Sequence, residues 1–245
     1  MKFSILCMTF VILVAIAGPA AGQPFEVDRI PTASGDLEIT FIGHGTLMLA
    51  FGGKVLHVDP FGKLTDYENM PDADLILITH EHGDHLDQEA IAAIRKSSTI
   101  IVANPAAGSK LDGARIMKNG QKETVMDLLI EAVPAYNVVH KRDNGDPFHP
   151  SGRDNGYIIT FGDNRVYIAG DTENIEEMNN LGPVDIAFIP ANLPYTMTPE
   201  MAADAARMVR PRILYPYHYG DTDVSKIREL LDDLPEIEVR VRSMK

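Results

Sequence analysis

Cysteine is almost absent from this 245-residue chain: Cys7 stands alone, inside an N-terminal apolar run. A disulfide framework is therefore excluded, and the rest of the chain can offer a metal no thiolate. Tryptophan is missing, and basic residues are few, 22 against 35 acidic, for a formal charge of −13. That balance leaves no basic footprint for a nucleic acid or an anionic membrane partner. No second apolar stretch is long enough to cross a bilayer, and no low-complexity segment occurs. Also missing are a Gly-x-Ser-x-Gly elbow, a phosphate-binding loop and a dinucleotide fingerprint, so serine hydrolase, kinase and dehydrogenase chemistry have no support.

The apolar run itself has a plain reading. Met1-Lys2 is a short basic start, Phe3 to Ala17 is nearly all apolar, and Gly18-Pro19-Ala20-Ala21-Gly22 supplies small residues for cleavage. Residues 1–22 are expected to be a secretory signal peptide, cut near Gly22-Gln23, and the product to be periplasmic or secreted. An uncleaved anchor is the alternative, although the run is short for a span of ~20 residues. Cleavage leaves roughly 223 residues without cysteine, 21 basic against 35 acidic once Lys2 has gone, a charge of −14. Residues 23–36 carry two prolines and no clear period, a lead-in to a domain over 37–245. That length suffices for one sizeable domain or two halves sharing a core.

Strand and helix signals alternate along the domain. Leu37 to Ile42 alternates as a half-buried strand, and Thr46–Phe51, Gly52-Gly53 and Lys54–Val58 predict a hairpin. Ala73 to Ile78 is a buried strand, Asp87 caps a helix through Ile94, and Thr99 to Ala103 is the next buried strand. Residues 106–130 show no sharp pattern. A second hairpin is predicted over Tyr157–Phe161 and Val166–Ala169, followed by a buried strand, Val184–Pro190. Thr198-Pro199-Glu200 opens a helix to Val209, with a hydroxyl cap, proline and an early acid. Ile213 to Tyr217 is a strand, Val224, Ile227, Leu230, Leu231 and Leu234 mark a last amphipathic helix, and Ile237–Val241 closes as a strand. Both hairpins end in an aspartate, Asp59 or Asp171, and each precedes an acid-led strand at Asp74 or Asp185. The repeated order predicts two related halves, with sheets face to face and helices outside, and ligands gathered where strands end. Asp74 and Asp185 read as structural, as does His57 within its strand.

Thr79-His80-Glu81-His82-Gly83-Asp84-His85 concentrates the chemistry. Three imidazoles and two carboxylates fall within seven residues, directly after a buried strand. Imidazole nitrogen and carboxylate oxygen suit Zn, Mn or Fe, and the cluster can hold two metals, one on His80 and His82 and one on Asp84 and His85. A polar loop capping the next helix is the bland alternative, but it gives no reason to gather histidine.

Together with Gly170-Asp171-Thr172 and Tyr217-His218, the cluster resembles the metallo-β-lactamase-fold superfamily. The closer resemblance is to its group of metal-dependent hydrolases related to L-ascorbate phosphate lactonase and N-acyl phosphatidylethanolamine phospholipase D. Ile42-Gly43-His44, Val58-Asp59-Pro60, Val133-Pro134-Ala135-Tyr136 and Leu193-Pro194-Tyr195-Thr196 support it, over Leu37 to Gly220. The resemblance implies an α/β fold, a four-layer αββα sandwich. It puts His80 and His82 on the first metal, Asp84, His85 and His218 on the second, and Asp171 between them. A third histidine of the first site stands, in many relatives, where this chain has Asn137; His149 is the expected substitute and His140 its competitor. By the same resemblance His44 faces the cleft and Asp59 supports a ligand from behind, while Asn192 and Tyr195 have substrate contact or a plain loop role open to them.

The implied chemistry is hydrolysis. Two divalent ions, zinc first with Mn or Fe open, share a water whose pKa falls towards ~7, and the hydroxide attacks an ester, lactone, amide or phosphodiester. Asp84 would orient the nucleophile and His44 would protonate the leaving group of a small-molecule substrate. The competing readings are an exported metal-binding protein without turnover and, as a minor one, a true β-lactamase. Neither oligomeric state nor substrate is legible.

Overall fold

Two seven-stranded sheets are stacked face to face, and both are built by one succession of pairings. The computed structural model describes residues 25–244. The signal peptide expected over 1–22 lies outside them. The first sheet runs in chain order through β1 (Glu26–Thr32), β2 (Gly35–Gly43), β3 (Thr46–Phe51), β4 (Lys54–Val58), β5 (Ala73–Ile78), β6 (Arg95–Ala103) and β7 (Arg115–Ile116). The second holds β8 (Lys122–Val125), β9 (Leu128–Ala135), β10 (Asp154–Phe161), β11 (Asn164–Ile168), β12 (Ile186–Pro190), β13 (Ile213–Tyr217) and β14 (Glu238–Val239). In each, the first three pairings are antiparallel and the last three parallel. The two related halves expected from the paired hairpins are thus present strand for strand. Even the acids that lead the fifth strand of each sheet match: Asp74 accepts the Val55 N–H at 2.9 Å, and Asp185 the Arg165 N–H at 2.8 Å.

Side-chain alternation sets the layers. On β5, Leu75 and Leu77 join the core between the sheets, whereas Ile76 and Ile78 face the outer layer with Ile91 and Ile94. Those last two belong to α1 (Gln88–Ile94), capped by the Asp87 carboxylate on the N–H groups of Glu89 and Ala90. A short helix, α2 (Pro105–Gly108), follows β6. On the other side α3 (Pro199–Val209) packs against β12 through Ala202, Ala205 and Ala206, whose small side chains let the helix approach closely. The result is the αββα sandwich. Full burial of each leucine or isoleucine contributes about 1.5–3 kcal/mol, so every layer is firmly held.

Two elements differ from expectation. The lead-in forms β1, an edge strand paired with β2, in which only Ile30 is buried. One buried residue gives no period to read, and an edge tolerates Pro31, which has no N–H to pair. Asp28 pins this strand to the C-terminus through Arg242, 2.8 Å away. The last helix, α4 (Ser225–Leu230), is shorter than the apolar spacing suggested. Pro235 disfavours helix at Leu234, and the chain continues in turns that still bury Leu231. Among the described residues, no helix is long and apolar enough to cross a membrane.

Candidate metal centre

Every candidate ligand and its support lies just beyond the carboxyl end of a strand, or in a loop that returns there. His44 follows β2, Asp59 follows β4, the histidine cluster follows β5, Asn137 follows β9, Asp171 follows β11, Asn192 follows β12 and His218 follows β13. Antiparallel hairpins and parallel crossovers point all of these ends to one rim. His44, Asp59 and His218 have φ of 51°, 45° and 46°, a left-handed conformation that non-glycine residues hold only where surroundings enforce it.

Two sets of donor atoms converge there. In the first, His82 Nδ1 is 3.1 Å from His80 Nε2 and 3.2 Å from His149 Nε2. In the second, His85 Nε2 and His218 Nε2 are 3.2 Å apart, and Asp84 Oδ2 is 3.9 Å from each. Asp171 lies between them. Its Oδ2 is 3.4 Å from His149 Nε2, and its Oδ1 is 3.5 Å from both His85 Nε2 and His218 Nε2. That Oδ1 is buried and has no hydrogen-bond partner.

Opposite ring nitrogens identify what this arrangement fits. The outward nitrogens of four rings are fixed by hydrogen bonds or near contacts. Thr79 Oγ1 donates to Asp59 Oδ2 at 2.6 Å, so it accepts from His80 Nδ1 at 2.9 Å. His85 Nδ1 donates to Asp59 Oδ2 at 2.8 Å, and His149 Nδ1 to Asn137 Oδ1 at 2.9 Å. Asn192 Nδ2 lies 3.3 Å from His218 Nδ1, and only a half-turn of the amide would put its oxygen there to accept a fourth N–H. With an ion bound, these bonds would leave the inward Nε2 atoms of His80, His85 and His149 as lone pairs facing one another. Tetrahedral zinc holds nitrogens at ~2.0–2.1 Å, which separates them by ~3.3 Å, close to the spacings seen here. The residues present therefore fit divalent ions.

Charge within the cluster is strongly coupled to burial. Burial holds His149 down at about 2, with His82 and His85 adding to it, and takes His80 and His218 well below the ordinary range. His85 is the exception: burial opposes its charge, but Asp171, Asp59 and Asp84 outweigh it and raise the ring to about 9. Asp171 is pushed up to about 6 by burial. Burial also disfavours the Asp84 carboxylate, but His44 and His85 more than offset this, and the group is depressed overall.

The structure brings His149, not His140, to His80 and His82. His140 Nδ1 instead pairs with Glu173 Oε1 at 2.7 Å, and Glu173 also accepts the N–H groups of Val138, Val139 and His140. His44 Nε2 is 3.0 Å from Asp84 Oδ2, and its ring lies 3.7 Å from that of His218. His44, Asp84, Asn192 and Tyr195 all line one cleft of about 440 Å³. Asp59 is buried behind the rings, where it also accepts the Thr79 N–H at 2.8 Å. His57 stays away from the cleft and meets the Pro71 carbonyl at 3.0 Å. Sequence reasoning did not single out Thr79 as a positioning group, nor Arg142 and Phe148 as cleft walls. Only Asn137 carried a signal, as the residue in a histidine's place.

Comparison with known proteins gives a consistent picture. The family described as beta-lactamase superfamily domain matches residues 38–218. A UPF0173 metal-dependent hydrolase of Thermococcus kodakarensis is 32% identical over 219 residues, covering 82% of this chain and 95% of the relative. The crystal structure of a protein from Parabacteroides distasonis, provisionally described as a metal-dependent hydrolase, is 52% identical. It superposes with a TM-score of 0.86 over 90% of this chain and all (100%) of its own. Igni18, described as a metallo hydrolase of Ignicoccus hospitalis, shares 25% identity with a TM-score of 0.69, over 84% of this chain and 94% of its own.

Proposed function

Because the chain belongs to the β-lactamase superfamily, among its metal-dependent hydrolases, we propose that it carries two divalent ions, zinc in the first instance, and hydrolyses a small ester, lactone, amide or phosphodiester. One observation supports the pair of ions above others. The Asp171 carboxylate divides its oxygens between two histidine sets, and its buried Oδ1 has no hydrogen-bond partner. When bound, the ions supply a nucleophile from water at neutral pH and polarise the substrate oxygen.

The protein's own groups do the rest. His80, His82 and His149 would hold the first ion, and Asp84, His85 and His218 the second. Asp59 and Thr79 fix the two central rings in the tautomers that turn Nε2 inward. His44 and Asp84 hold a proton between them at the cleft surface, where His44 would pass it to the leaving group. The leader read from the sequence supports action outside the cytoplasm, and the acidic charge supports a small molecule over a nucleic acid.

Elemental mass spectrometry on protein purified without chelator tests this reading. The expectation is close to two ions per chain, falling to about one in His149→Ala and unchanged in His140→Ala. One ion or none in the native protein overturns the two-ion mechanism.

A further inference from the structure

Among the described residues, one arginine faces the cleft with no carboxylate paired to it. Arg142 lines the same cavity as His44, Asp84 and His218, and forms no ion pair with any described acid. Its guanidinium carbon lies 4.9 Å from the centre of the Phe148 ring, whose edge contact with Tyr195 spans 5.1 Å. The terminal nitrogen only reaches the Phe148 carbonyl at 3.5 Å. Stacking on an aromatic face fixes the plane of the guanidinium and leaves its N–H fork free. Several other arginines of this acidic chain pair with acids, among them Arg153 with Asp154, Arg207 with Asp233 and Arg242 with Asp28.

The Arg142–Phe148 wall also has a second side. A cavity of about 520 Å³ shares both residues with the cleft and is lined further by Lys141, Asp143, Asn144 and Pro194. A molecule reacting at the metal centre therefore has room to extend past the guanidinium.

We propose that Arg142 is a specificity-determining residue, and that the substrate carries an oxyanion, carboxylate or phosphate, on the side remote from the bond that is cleaved. The inference rests on the hydrolase reading above. A forked donor matches two oxygens of such a group, and a preset fork loses little freedom on binding.

Matched compounds separate the two claims. The first measurement is turnover of the 4-nitrophenyl monoester of glutaric acid and of neutral 4-nitrophenyl pentanoate by zinc-loaded wild type, Arg142→Gln and Arg142→Lys. Arg142→Gln is expected to raise KM for the acid about tenfold with kcat held, to leave the neutral ester unchanged, and to be partly rescued by lysine. The second is calorimetric binding of the corresponding anilides, glutaranilic acid, its phosphonate counterpart and neutral valeranilide, each checked by chromatography for cleavage. Tighter binding of either acid than of valeranilide, lost in Arg142→Gln, supports the inference even if no ester turns over, and the tighter acid identifies the oxyanion. In that event hydrolysis of carboxylic esters fails alone. Turnover without charge preference, or acids bound no better than valeranilide, overturns the role of Arg142 and leaves the hydrolase standing.

Discussion

Asn137 and His149 hold each other at both backbone and side chain. The Asn137 N–H donates to the His149 carbonyl at 2.8 Å, while Asn137 Oδ1 accepts the His149 N–H at 2.8 Å and the ring Nδ1–H at 2.9 Å. Asn137 Nδ2 is itself fixed on the Tyr195 carbonyl at 2.9 Å. The residue at the position where the sequence resemblance expects a ligand thus supports the histidine proposed to serve in its place.

Removing that support should weaken one ion selectively. Asn137→Ala leaves the His149 ring free to turn, and affinity at the first site is expected to fall about 10–100-fold. Competition with a chromogenic chelator, with elemental analysis of the remaining ion, checks this. Equal loss from both sites would refute the assignment.

His44 separates catalysis from metal binding. If it passes a proton, His44→Gln lowers kcat about 10²–10⁴-fold with the metal count unchanged. Its Nε2 also lies within the donor set of Asp84, His85 and His218. A fall of one ion per chain in the variant would make His44 a ligand instead.

Gly45 is required for space. A Cβ there would sit 2.8 Å from His85 Cε1 and 3.3 Å from His218 Cδ2, against rings that cannot retreat. Gly45→Ala should cost about 1–3 kcal/mol in a denaturant titration and empty the second site before the first. A variant of native stability with both ions would show that the rings have slack.

His57 gives the fold a pH dependence of its own. Burial depresses its pKa from the usual 6.5 to about 4, so between these values only the unfolded chain takes up the proton. Its contribution is complete above pH 6.5 and is lost as pH falls to 4, about 3 kcal/mol in all. Between pH 7 and pH 4.5, stability measured by urea unfolding should fall by about 2 kcal/mol more in chelator-treated wild type than in His57→Gln. Parallel pH profiles would dismiss it.

Local chemistry made some of this legible in sequence. Asp87 and Thr198 announce helix starts because a cap bonds within its own turn, and β5 declares itself through the apolar run Leu75–Ile78. The cluster at His80–His85 is legible because so many imidazoles have no other use. What stayed open depends on how loops return. His140 and His149 both follow Asn137, and only the fold shows one turned to Glu173 and the other to His82. β1 was hidden because an edge strand with one buried residue has no rhythm.

The two halves also meet at the candidate metal centre. His80, His82, Asp84 and His85 come from the first half, whereas His149, Asp171 and His218 come from the second. Neither half can assemble a complete coordination sphere, so each ion would act as a rivet through the seam between the sheets. Sliding one sheet past the other by an ångström would strip ligands from both ions together. Metal affinity in this molecule is thus a gauge of how squarely its two halves are seated.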